Sequence, residues 1–252
     1  MLNPNFNIDE LIFIDIETIP CTDNVENLSQ HMFETYYQIY EKRQNKDETV
    51  QNHFFGNAAL YPEYLNIVCV SLGYYNVTTS GFSVLAITGS EIGILNELTK
   101  ILETKSFYGK RLVAHNGKDF DYPVLIKRYL INRLVLPKIF KLYCNQKPWE
   151  SSLLDSKEMW RFGGFSANHI SSLDRLCSVF GIESPKSDIT GKEIGTYYYD
   201  SKNYSTEEFI YVINRIAKYC NNDVKALFKV VCNMNQQLYG VDINYSENIK
   251  NL

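Results

Sequence analysis

Four acidic residues in three separated pieces of the chain have the types and settings of one metal site: Asp15 and Glu17 in LIFIDIETIP, Asp121 in VAHNGKDFDYP, and Asp223 in YCNNDV. Carboxylates ordinarily sit on solvated surface, but each of these follows or joins an apolar run that would bury it. The run Leu11 to Ile14 is rich in branched and aromatic side chains, suits a central strand, and is ended by Pro20. On such a strand Asp15 and Glu17 are two apart, so both carboxylates project from one face while Ile14 and Ile16 turn to the other. Two like charges so placed repel. Either one takes a proton or a divalent ion neutralises them, and magnesium or manganese with oxygen ligands is the natural partner. Taken alone, a DxE pattern is more often a strand end with two solvated acids, so the other pieces must carry weight.

The second piece, from Arg111 to Leu130, reads as strand, turn and helix. Gly117 permits a sharp turn, and Pro123 fits a first helical turn, where its missing N–H costs nothing. Asp119 is read as a helix cap, a common task for Asp, and Asp121 at the helix N-terminus as the ligand. The third piece is a long helical pattern from about Thr206 to Gln236. There Phe209, Val212, Ile213, Ile216, Cys220, Val224, Leu227, Phe228 and Val231 recur at spacings of three and four. Tyr219 and Asp223 are four apart on a flank of that buried stripe, which lets the phenol and the carboxylate point together at a sheet.

The intervening elements fit around these pieces. Ile67–Tyr75 and Gly81–Ile87 read as paired strands, Glu91–Glu103 as a helix and Leu112–His115 as a strand. With 252 residues, 45% of them hydrophobic, and no Pro-, Gly- or Ser-rich linker, the chain is expected to form one domain over residues 1–252. An insertion at about 21–60 is expected to hold an amphipathic helix, because Leu28, Met32, Tyr36 and Tyr40 are four apart, followed by a polar loop. His53, Phe54 and Phe55 there could stack on unpaired bases, although packing of the insertion onto the domain is the better account. A net charge of -4 and a pI near 5.6 argue against broad electrostatic capture of long duplexes. Cys21, Cys69, Cys144, Cys177, Cys220 and Cys232 show no zinc-like spacing and read as reduced core thiols. His115 reads as a satisfied turn residue. No apolar span of membrane length and no secretory leader is evident, so a soluble, cytoplasmic protein is expected.

Together the pieces resemble the DEDD family of 3′-5′ exonucleases, in the branch with tyrosine in the third motif, DEDDy. DxE is Asp15-Ile16-Glu17; the second motif, Asn, three residues, an aromatic and Asp, is matched by Asn116, Phe120 and Asp121; YxxxD is Tyr219 to Asp223. The histidine branch would need His five before the aspartate, where this chain has Lys218. Ser172 to Ile194, SLDRLCSVFGIESPKSDITGKEI, is similar to a linking segment in stand-alone relatives of the proofreading exonuclease domain of family B DNA polymerases.

The resemblance implies a ribonuclease H-like α/β fold, a mixed central sheet flanked by helices. It also implies catalysis by Asp15, Glu17, Asp121, Tyr219 and Asp223. The four acids would hold two divalent ions, Mg2+ or Mn2+, with Asp15 bridging them and Tyr219 orienting the attacking water. Nucleoside 5′-monophosphates would leave a 3′ end, single-stranded DNA being favoured and RNA the other candidate. Asn116 and Lys186 are expected to touch substrate, and Lys118, Arg128 and Lys192 are further candidates for phosphate contacts. A replication or repair partner is compatible with this reading, and nothing marks an oligomer interface. Two alternatives stay open: an RNA-trimming exoribonuclease on the same fold, and an inactive module that docks nucleic acid or a polymerase.

Overall fold

The computed structural model describes residues 7–43, 48–143, 151, 153–164, 171–186, 189–238 and 241–252. In chain order these form β1 (Leu11–Pro20), α1 (Gln30–Lys42), α2 (Val50–Asn57), β2 (Leu65–Asn76), β3 (Gly81–Thr88), α3 (Glu91–Leu102), β4 (Arg111–Ala114) and α4 (Asp121–Ile131). They continue with α5 (Lys138–Tyr143), β5 (Leu153–Asp155), α6 (Ser156–Arg161), α7 (Leu173–Phe180), α8 (Ile194–Ser201), α9 (Thr206–Met234) and β6 (Asn244–Asn251).

The six strands form one mixed sheet in the order β5-β4-β1-β2-β3-β6. β1 runs antiparallel to β2, and β2 to β3, whereas β4 is parallel to β1, β5 to β4 and β6 to β3. This is the ribonuclease H-like α/β arrangement, with the DxE strand inside the sheet.

Alternation along β1 divides the core. Ile12, Ile14 and Ile16 pack against Leu95 and Leu98 of α3 and Tyr122 and Leu125 of α4. Leu11 and Phe13 face the other way, onto Val224, Leu227 and Phe228 of α9. Phe82 of β3 stacks on Phe228 at a centroid distance of 4.0 Å, and Phe13 meets the same ring edge-on at 5.4 Å. Asp15 and Glu17 therefore project toward α9.

α9 begins in a capping box, with the Ser205 hydroxyl and the Glu208 side chain each serving the other's backbone N–H. At 29 residues it spans roughly 43 Å. Its inner stripe reaches the sheet closely because β2 carries Gly73 at the crossing. A Cβ there would lie 2.4 Å from the Phe82 ring and 2.6 Å from Val224. The buried Asn221 fixes the helix along its axis by accepting from the Ser71 hydroxyl and donating to Glu247 of β6.

The insertion differs from expectation. The polar loop expected after α1 contains a second helix, α2, capped by Thr49, whose hydroxyl accepts from the Asn52 N–H at 3.2 Å. His53 and Phe54 are buried rather than available for stacking, and Phe54 lies edge-on to Tyr36 at 4.9 Å. The Tyr36 hydroxyl bonds His53 Nδ1 at 2.9 Å. These rings give the insertion a small core of its own with Val25, Ala58 and Tyr64. Phe55 lies 6.1 Å from the Tyr199 ring of α8. Residues 44–47 of the insertion lie outside the described residues.

Candidate metal centre

β1 delivers Asp15 and Glu17, the N-terminus of α4 delivers Asp121, and the middle of α9 delivers Tyr219, Cys220 and Asp223. Glu17 is 7% exposed and Asp121 4%, so neither is an ordinary surface acid. One oxygen of Asp15, one of Glu17 and the Cys220 sulfur all lie within 4.8 Å of one another. Asp121 and Asp223 stand outside that tight set, yet their charges act on both Asp15 and Glu17.

Electrostatics shows how costly the arrangement is without a cation. Burial, then the charges of Asp223 and Asp121, hold the Asp15 carboxyl well above the usual carboxylate range. Burial, then Asp15, does the same to Glu17. Burial pushes Asp121 and Asp223 each up to about 7. Four carboxylates that resist ionising together, on a wall where Glu17 makes no hydrogen bond or ion pair among the described residues, fit a site for divalent cations.

Asp121 is placed by local geometry. The backbone N–H of Ile16, the residue between Asp15 and Glu17, favours its charged form against the effect of burial. The turn leading to it is held by Asp155 at the end of β5, whose carboxylate accepts from the N–H groups of Asn116 at 2.9 Å and Lys118 at 3.1 Å. The left-handed residue of this turn is Asn116, at φ 65, and not Gly117. Gly117 is required for space, since a Cβ would stand 2.4 Å from that of Ala114. Asp119 makes no cap: α4 starts from Phe120 without a side-chain cap bond. His115 is satisfied at both ring nitrogens, by Ser156 at 2.9 Å and the Ser171 carbonyl at 3.0 Å.

Tyr219 acts on the Asp223 carboxylate and lowers its pKa, while burial and the surrounding acids push the phenol far above its usual range. It therefore stays a donor at neutral pH. Asn116 sits at the turn beside Asp121, its side-chain oxygen accepting from Lys157 Nζ at 2.7 Å. Lys186 pairs with Asp174 at 2.8 Å, and its charge also reaches Asp223.

The other basic candidates fare differently. Arg128 is buried in a bidentate pair with Glu91, at 2.8 and 2.6 Å, and donates to the Pro62 carbonyl, so it ties α4 to α3 and is not a phosphate contact. Lys118 bonds Glu158 at 2.6 Å, and Lys192 is exposed. Cys144, and Ser187 and Asp188 of the SPKSD loop, lie outside the described residues.

Two residues at the site escaped the sequence reading. Cys220 was visible only as a member of the apolar stripe, although its position inside YCNND puts it one residue from Tyr219 on the sheet-facing side. Asp155 repeats in Leu153-Leu154-Asp155 the apolar-run-then-acid pattern of β1, and that is the signal which could have found it.

The sequence model of a family described as a predicted 3′-5′ exonuclease related to the exonuclease domain of PolB matches residues 60–250. That span contains Asn116, Asp121, Tyr219 and Asp223 but not Asp15 or Glu17. Among curated proteins none matches the chain. A family B DNA polymerase from the hyperthermophilic archaeon Pyrobaculum calidifontis superposes with a TM-score of 0.49 at 14% identity, over 87% of this chain. The chain spans 24% of that polymerase.

Proposed function

The chain belongs to the family of predicted 3′-5′ exonucleases related to the exonuclease domain of PolB, and on that premise we propose that it is a metal-dependent hydrolase of nucleic-acid 3′ ends. Single-stranded DNA is the favoured substrate and nucleoside 5′-monophosphates are the products. The observation that carries this reading is the convergence of the half-buried Asp15 and Asp223 with the buried Glu17 and Asp121, Glu17 lacking a hydrogen bond or ion pair among the described residues.

Two divalent ions, Mg2+ or Mn2+, would supply at this wall the charge that lets it accept a phosphodiester, the acidity of the attacking water and the neutralisation of the leaving 3′ oxygen. The four carboxylates would hold them. Asp121 is delivered by the first residue of α4, and the backbone N–H of Ile16 favours its charged form beside the DxE pair. Tyr219 keeps its proton at neutral pH, and its role is to donate a hydrogen bond that aims water rather than to act as a base. Asn116, at the turn before Asp121, and Lys186, whose charge reaches Asp223, would be the polar groups offered to the strand end.

Digestion of 5′-labelled single-stranded DNA and RNA oligonucleotides in manganese or magnesium, beside Asp223→Ala, tests this. A metal-dependent ladder shortening from the 3′ end, absent in the variant, is the expected result. Preferential trimming of RNA would reassign the substrate. No cleavage of either by a folded, manganese-binding protein would overturn the catalytic reading in favour of a docking role.

A further inference from the structure

We propose that Cys220 turns this centre into a mixed oxygen-and-sulfur site, at which a thiophilic divalent cation of the zinc and cadmium class is held by Asp15, Glu17 and the Cys220 thiolate in preference to a hard ion. The inference deepens the proposed function, because it concerns the same metal centre.

Cys220 lies on the sheet-facing stripe of α9, between Ile216 and Val224, and its sulfur is 3.3 Å from Asp15 Oδ2. Ligand atoms around one tetrahedral ion stand ~3.3 to 3.8 Å apart, given bond lengths of ~2.0 to 2.3 Å. The Asp15–Cys220 contact is already at that spacing. Because all three ligand atoms lie within 4.8 Å of one another, closing the triangle on one ion requires a shift on the order of 1 Å.

Glu17 supplies an independent observation. It is more than nine-tenths buried, directed into the triangle, and without a hydrogen bond or ion pair among the described residues. A buried carboxylate in that condition takes a proton or a cation, and the atom beside it in the triangle with Asp15 is sulfur. A purely hydrophobic role would be served as well by Ala or Val, neither of which would donate to Asp15.

Ligand softness then decides which ion gains. Carboxylates suit magnesium and manganese, whereas a thiolate favours zinc and its heavier congener cadmium. On binding, the Cys220 sulfur exchanges its proton for the cation and the proton passes to solvent. Cys69 stands close behind. It is the cross-strand partner of Glu17 and acts on the Cys220 thiol, yet it is not part of the triangle.

The test is titration of the full chain with Cd2+, read by the ultraviolet thiolate-to-cadmium charge-transfer band, for wild type, Cys220→Ser and Cys220→Ala. Manganese binding is followed in parallel by electron paramagnetic resonance. The expected result is a band saturating at one equivalent in wild type and lost in both variants, which keep their manganese affinity within a few fold. In competition, the advantage of cadmium over manganese should drop at least tenfold in either variant. A band of undiminished strength in the variants, or tight cadmium binding by wild type with no band, overturns the proposal. Two variants guard against one that fails to fold. Manganese binding without a Cys220-dependent band would sink this inference alone; a Cys220-dependent band in a protein that ignores manganese would sink the proposed hydrolase and leave the sulfur site standing.

Discussion

Each of the four acids is held in a setting that opposes its charge, and this has a measurable consequence in the metal-free protein. Asp121 and Asp223 titrate near 7 in the folded state against an ordinary value of 3.8. Their raised values mean that the native state keeps protons the unfolded chain has already released. Their contribution to stability is complete below pH 3.8 and is lost as pH rises through about 7. His115 works the other way. Burial lowers it from 6.5 to about 4, so it favours the native state above 6.5 and loses that as pH falls. Between pH 5 and 7 at least two carboxylates oppose one imidazole, and the carboxylates prevail. In chelator, the unfolding free energy from urea titration should fall across that range, by about 1.4 kcal/mol per pH unit for each net proton. Saturating manganese should flatten or reverse the slope. A chelated protein that instead grows more stable from pH 5 to 7 would show that the acids are better solvated than their burial implies.

At the scale of elements, the centre is the meeting of β1, α4 and α9, and the closeness of α9 depends on one missing side chain. Gly73→Ala would drive a methyl into Phe82 and Val224, between β2 and the helix that carries Tyr219 and Asp223. Overpacking of this kind costs about 1 to 3 kcal/mol. Denaturant unfolding should show that loss, and strand-end hydrolysis should fall further than the remaining folded fraction explains, because α9 is lifted from the sheet. Equal losses in both measurements would mean that the helix accommodates the methyl without moving its acid. These three elements were legible in the sequence because each couples a strong period to a chemical signature. The DxE pair sits on the alternation of β1, and Tyr219 and Asp223 sit beside the stripe of α9. What escaped depends on contacts made after folding. The short β5 carries too few residues for a period, so Asp155 was marked only by the apolar pair before it, and its grip on the Asn116 turn is a contact no pattern shows. β6 is exposed throughout and carries no apolar alternation. Arg128 looked like a surface cation because its partner Glu91 is 37 residues away. α2 was hidden because its buried face is aromatic and small, and matches a helical stripe only when set against Tyr36.

The whole molecule is acidic, at -4, yet its positive charge is not spread evenly. Lys186, Lys218, Lys225 and Lys229 line a groove of about 550 Å3 over α9, between the 182–186 loop and Tyr245 of β6. Lys225 is paired with Glu247 at 2.9 Å and Lys186 with Asp174, while Lys218 is exposed and Lys229 lies over the Tyr245 ring at 5.2 Å. Lys218 and Asn222 also line an adjoining groove with Tyr219, so the basic stripe begins at the centre and runs along the same helix. An acidic chain attracts a polyanion weakly at long range, and a strand held here would be gripped locally, through this stripe and the loaded centre. Neutralised phosphates of a single strand each contribute about 0.7 to the salt slope. Lys218→Glu with Lys229→Glu should therefore weaken binding of a labelled single strand and reduce that slope by about 1.4, the sum for two contacts. Anisotropy in the Asp223→Ala background, over a range of salt, reads both quantities without strand degradation. Unchanged affinity and slope would place the strand on another path from the centre, and a change in affinity with an unchanged slope would assign the lysines to the shape of the groove rather than to phosphate.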